Sequence, residues 1–117
     1  MRSDKPNLIV KLTFEFSLDI IHFCDVLDQN RKYLMTKQLF KSGTSIGANV
    51  IEAQNAQSKA DFIHKLKIAA KEADETFYWI SLCNESEHYP SNIELLNKLQ
   101  SIINILSKII SSTKKVA

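Results

Sequence analysis

Apolar residues return every third or fourth position through four stretches of this chain, with short polar breaks between them. In the first stretch Ile9, Leu12, Phe16, Ile20, Phe23 and Leu27 share one helical face, and Val10, Phe14 and Ile21 form a second apolar strip beside it. The polar run 29–32 breaks the pattern. In the second stretch Met35, Leu39, Ser42, Ile46, Val50 and Ala53 align, so small and large residues alternate along one face, with Phe40, Gly47 and Ile51 on its neighbour. Ser58 followed by Asp61 has the form of a capping box and opens a third stretch. Its stripe is Phe62, Leu66, Ala69, Ala73, Phe77 and Ile80. A break at His88-Tyr89-Pro90 precedes a second capping box, Ser91 with Glu94, and then Leu95, Leu99, Ile102, Ile103, Leu106, Ile109 and Ile110 point inward.

The pattern predicts four helices over about 7–29, 33–56, 58–86 and 91–113, with residues 1–6 as a frayed polar arm ending at Pro6. Four helices joined by short turns make an all-α fold, an antiparallel up-down-up-down four-helix bundle, as a single domain over 1–117. Two glycines and two prolines in 117 residues are too few for a turn-rich or sheet fold. Both glycines, Gly43 and Gly47, fall inside the second helix, where each costs about 1 kcal/mol against alanine. Close backbone packing, or a bend at Ser42-Gly43, is the expected compensation. Phe40, Ile51, Ile68, Trp79 and Leu82 lie off the core stripes, and such leftover apolar surface predicts burial in another copy of the chain.

Charge narrows the chemistry. The net charge is +2, and only Arg2 and Arg31 are arginines, which argues against base-specific reading of a duplex. Lys37 and Lys41 share one face of the second helix and Lys67 and Lys71 one face of the third, and these are the candidate phosphate contacts, although Asp74 and Glu75 follow closely. Tyr78 and Trp79 are read as interface packing rather than as base-stacking groups. Each histidine follows an acid by three residues (Asp19 and His22, Asp61 and His64, Glu85 and His88), yet His22 and His64 sit off the apolar stripes and His88 in a turn. No inward-facing metal site of the di-iron kind is expected. Glu52, Glu72 and Glu75 lack a partnered nucleophile or base, and no phosphate-binding glycine loop is present, so no catalytic residues and no cofactor are expected, and the chain is read as not an enzyme. Cys24 and Cys83 read as core thiols in a reducing compartment. With no secretory pattern and no apolar run long enough to span a bilayer, a cytoplasmic protein without membrane contact is expected.

The run SGTSIGANVIEAQNAQSKADFIHKLKIAAKEADETFYWI resembles a bacterial four-helix-bundle family that includes the 23S ribosomal RNA intervening-sequence proteins. Ser42, Gly43, Ser45, Ile46, Asn49, Glu52 and Ala53 carry the resemblance, followed by Phe62, Ile68-Ala69, Lys71-Glu72, Glu75 and Trp79. The first and fourth helices match in length and pattern only. The resemblance implies an up-down bundle that assembles into rings, of five subunits in members of known structure. One branch looks like the accessory proteins of diversity-generating retroelements, whose basic rings bind nucleic acid and a reverse transcriptase; this chain is less basic and poorer in arginine. The signature sets Asn49/Glu52 and Glu72/Glu75 are read as holding the second and third helices together. The resulting expectation is a homopentamer acting as a nucleic-acid-binding accessory, with RNA, DNA or such a protein as partner. The alternative is a scaffold that binds protein alone.

Overall fold

The computed structural model describes residues 7–115, and the N-terminal arm predicted for residues 1–6 lies outside them. Four helices form, α1 (Leu8–Gln29), α2 (Tyr33–Gln54), α3 (Lys59–Glu85) and α4 (Ile93–Lys115). They pack as an antiparallel up-down-up-down bundle in which α1 meets α2, α2 meets α3, α3 meets α4, and α4 closes back on α1. The result is a rod of 50 × 21 × 20 Å.

Each helix begins and ends where local chemistry permits. Asn7 caps α1, its side chain accepting from Ile9 N at 3.2 Å, and its amide donates to Gln54 Oε1 at 2.8 Å, tying the start of α1 to the end of α2. Arg31 takes a left-handed backbone (φ 61°) in the α1–α2 turn, a conformation that costs a non-glycine residue about 1–2 kcal/mol. The turn offsets this with Lys32 N donating to Leu27 O at 2.9 Å and Arg31 N to Asp28 O at 2.9 Å. Ser58 caps α3 through Asp61 N at 3.0 Å, as its spacing predicts. The start of α4 differs from expectation. The residue accepting from the first turn is Asn92, not Ser91, with Leu95 N donating to Asn92 Oδ1 at 2.9 Å. Asn84 of α3 holds Asn92 in place by accepting from its backbone N–H at 2.6 Å.

The core follows the predicted stripes, with Phe16, Ile20, Leu27, Leu39, Ile46, Leu66, Ile80, Leu99 and Leu106 among the largest fully buried side chains. Removing a Leu or Ile of this kind from water is worth about 1.5–3 kcal/mol. Cys24 and Cys83 are buried as expected of core thiols, and Thr13 and Thr76 join the core although no apolar stripe marked them, while Leu12, Phe62 and Phe77 are only half-buried. The two threonines enter because each hydroxyl is satisfied within its helix, Thr13 by Ile9 O at 2.8 Å and Thr76 by Glu72 O at 2.7 Å.

The two glycines resolve in favour of close approach. A Cβ on Gly43 would lie 2.7 Å from Cγ1 of Ile20, and one on Gly47 3.2 Å from the carbonyl oxygen of Thr13. Gly47 is buried against α1, so it does not form an outward patch with Phe40 and Ile51 as its spacing suggested.

Candidate interaction surfaces

The same glycines that draw α1 and α2 together leave an apolar rim on their outer side. Phe14 (63% exposed), Leu18 and Ile21 on α1 face solvent, as do Phe40 (47%) and Ile51 (49%) on α2. Val10, Thr13, Phe14, Ser17, Gly47, Ala48 and Ile51 line a groove of about 380 Å³ between the two helices. Of the five residues predicted to be buried in another copy of the chain, Phe40 and Ile51 belong to this rim. Ile68, Trp79 and Leu82 do not. They lie with Lys65, Glu72 and Glu75 along a flank of α3 that meets α2, Lys65 bonding Glu52 of α2 at 3.1 Å. Ile68 and Trp79 are half-buried and Leu82 is 41% exposed. The leftover apolar residues thus fall on two faces, on either side of α2. Phe14 and Ile21 were visible in the sequence as a second apolar strip, but only the glycine contact shows that the strip runs alongside Phe40 and Ile51.

The α3 flank contains an unmet donor. Among the described residues Trp79 Nε1 is buried without a hydrogen-bond partner, while its ring stands edge-on to Tyr78 at 5.4 Å. An indole N–H out of water normally finds an acceptor.

The signature polar residues do different work from that expected. Glu52 does bridge α2 to α3 through Lys65. Asn49 instead donates to Ser45 O of its own helix at 2.8 Å, and Ser45 Oγ donates to Lys41 O at 2.5 Å. Both amide and hydroxyl are short enough to fold back on the preceding turn, which removes them from the α2–α3 seam. Glu72 is half-buried and Glu75 exposed, and among the described residues neither carboxylate makes a hydrogen bond or ion pair. The polar link inside that seam is a pair absent from the prediction. The hydroxyls of Ser42 and Thr76, both fully buried, share a hydrogen bond of 2.9 Å.

The candidate lysines separate as well. Lys37 and Lys41 lie on the N-terminal half of α2, whereas Lys67 and Lys71 lie on the N-terminal half of α3, which in an antiparallel pair is the opposite end of the rod. Lys67 has Lys114 of α4 beside it. Hydrogen-bonding contact with Lys67, and then its positive charge, hold the Lys114 ammonium below the usual lysine pKa.

The seam between α1 and α4 is built differently from that between α1 and α2. Two clefts open along it, of about 310 and 230 Å³, and Asp19 and Lys98 line both. Lys98 Nζ and Asp19 Oδ2 form an ion pair of 3.0 Å across the seam, and hydrogen bonding to Asp19 raises the Lys98 pKa above 10.5. His22 and Glu94 line the larger cleft, yet among the described residues no three His, Cys, Asp or Glu side chains converge as a metal site. Cys24 and Cys83 are buried free thiols, and desolvation pushes each up to about 11. Among the described residues no helix is long and apolar enough to cross a membrane.

These features define a class, the all-α four-helix bundle. The description of the 23S rRNA-intervening sequence protein family matches residues 5–112. The chain belongs to that family. It is also similar to a crystal structure from Bacteroides thetaiotaomicron, a protein with unknown function from the S23 ribosomal protein family. The two share 41% identity at a TM-score of 0.82, over 87% of this chain and 97% of that one. No curated protein matches the chain.

Proposed function

We propose that the chain acts without catalysis, as a homo-oligomeric bundle closed into a ring of five, and that the ring serves as a nucleic-acid-binding accessory. The observation that carries this reading is the exposed apolar rim of Phe14, Leu18, Ile21, Phe40 and Ile51. Large apolar side chains exposed along two adjoining helices are costly to leave in water and mark an interface. A ring also needs a head-to-tail contact between two different patches on each subunit. The rim supplies one, and the α3 flank with Ile68, Trp79 and Leu82 supplies the other. The two patches lie on different sides of α2, so one copy engages two neighbours at once. Nucleic acid is favoured as the partner because both descriptions of the relatives refer to ribosomal RNA or a ribosomal protein family. A reverse transcriptase or other protein is the competing partner for the same ring.

Light scattering on the purified protein, with the 260/280 nm absorbance ratio recorded across the same peak, tests this reading. The expected result is a mass near five times the 13.3 kDa chain, with excess 260 nm absorbance that high salt removes. A ring free of nucleic acid that also fails to bind added RNA or DNA would transfer the role to a protein partner. A single-chain mass would overturn the assembly.

A further inference from the structure

The small net charge conceals a strong segregation of charge along the α3–α4 pair. From residue 59 to 71, α3 carries Lys59, Lys65, Lys67 and Lys71 against a single acid, Asp61. From 72 to 87 the order reverses, with Glu72, Asp74, Glu75, Glu85 and Glu87 and no basic residue except His88 just beyond. In α4 the first turn holds Glu94 and no acid follows it; Lys98, paired with Asp19 of α1, lies in the first half, and Lys108, Lys114 and Lys115 occupy the second. Because α3 and α4 are antiparallel neighbours, the lysine-rich start of α3 lies against the lysine-rich end of α4. The acidic remainder of α3 lies against Glu94. Asp74 and Glu75 follow Lys71 by one turn, so the change of sign falls near the middle of α3.

At the basic end, Lys65 is engaged by Glu52. Lys67, Lys71, Lys108, Lys114 and Lys115 are exposed, and among the described residues none forms an ion pair with a carboxylate. Lys67 and Lys114 are close enough to perturb one another, a like-charge contact that an intervening anion relieves. Lysine presents a point charge rather than a bidentate fork, which suits contact with a phosphate chain and not recognition of a base.

We propose that the basic end of the α3–α4 pair, with Lys67 and Lys114 at its centre and Lys71, Lys108 and Lys115 around them, is the surface that holds the phosphate backbone of a nucleic acid. The acidic half of the same pair repels that backbone and confines it to one end of the bundle. In a ring of parallel rods the basic ends lie on one rim, so the strand tracks that rim and leaves the other clear. The assignment rests on the nucleic-acid reading above and goes beyond it by fixing the end, the residues and the absence of base specificity.

The test is the salt dependence of binding to fluorescein-labelled poly(U) and poly(A), followed by anisotropy for the wild type and two double variants. Lys67→Ala/Lys114→Ala is expected to weaken both homopolymers alike, and to flatten the slope of log K against log salt by about 0.7 per lysine lost from a single-strand contact. Lys37→Ala/Lys41→Ala, at the other end, is expected to keep the wild-type slope. All four side chains are exposed, and circular dichroism verifies that the variants fold. Retained binding in Lys67→Ala/Lys114→Ala with loss in Lys37→Ala/Lys41→Ala would overturn the assignment while leaving a nucleic-acid-binding protein. A strong preference between the homopolymers would overturn the backbone-only mode. Failure of the wild type to bind either at low salt would overturn the nucleic-acid reading itself.

Discussion

Helix α1 packs against its two neighbours in opposite ways. Towards α2 the backbones come close because Gly43 and Gly47 offer no side chain, and the rim of that seam is apolar and exposed. Towards α4 no small residues draw the helices in. The seam opens into two clefts, and an ion pair between Lys98 and Asp19 spans it. One side of the helix is finished with hydrocarbon and the other with charge. The difference teaches where each side belongs. An apolar rim over a tight seam is an incomplete interior that another copy can complete, whereas a wet, charged cleft is already at ease with solvent.

The contrast predicts unequal responses to substitution. The largest belongs to Gly43→Ala. The new methyl meets Ile20, which is fully buried and has no room to retreat. Overpacking costs about 1–3 kcal/mol, and the gain in helix propensity returns about 1, leaving a net loss of up to about 2 kcal/mol. Ile20→Ala removes the obstructing atoms, so the double variant should lose less than the sum of the singles in urea unfolding. Strict additivity would show that the two helices do not meet there. Gly47→Ala is the milder partner of this pair. Its methyl falls at 3.2–3.4 Å from Thr13 backbone and the Ser17 hydroxyl. A shift of a few tenths of an ångström relieves it, and helix propensity offsets the remainder, so a change within about 0.5 kcal/mol is expected.

The smallest response lies in the α1–α4 seam. Lys98 is half exposed, and Lys98→Ala should change stability by no more than about 0.5 kcal/mol. Its pH dependence has a defined sign. The folded pKa is raised above 10.5, so the contribution of the pair is complete below 10.5 and is lost as pH rises through the folded value. Thermal melts of Lys98→Ala and wild type should therefore converge in strong alkali. A gap that widened with pH would show that the pair is not what Lys98 contributes.

Much of the bundle was legible in the sequence because helical periodicity is a local signal that the core then uses directly. Ile9, Phe16, Ile20, Leu39, Ile46, Leu66 and Leu99 are buried where their spacing put them. What escaped depends on relations between helices. Ser91 and Asn92 are both fit to cap α4, and the choice falls to Asn92 because Asn84, eight residues earlier on another helix, holds it. Thr76 reads as a polar interruption until Ser42 is brought opposite it. Asn49 was expected to reach across to the third helix, yet its short side chain reaches the carbonyl of Ser45 one turn back in its own helix. The apolar surplus was legible residue by residue, but the meeting of the α1 strip with the outer face of α2 was not, since that depends on which neighbour each helix acquires. Charge was legible along α3, where the lysines precede the acids, but its continuation onto the end of α4 depends on the antiparallel pairing of the two helices.

The account turns on whether the α1–α2 rim is covered by another copy of the chain. Sedimentation equilibrium of wild type beside Phe40→Glu tests this most directly, because Phe40 is half exposed on the rim and a carboxylate there leaves the core intact while opposing burial. The prediction is a wild-type mass at a multiple of 13.3 kDa and a folded Phe40→Glu protein at or near the single-chain mass. A wild type that is already one chain, or a variant that assembles as the wild type does, would contradict it.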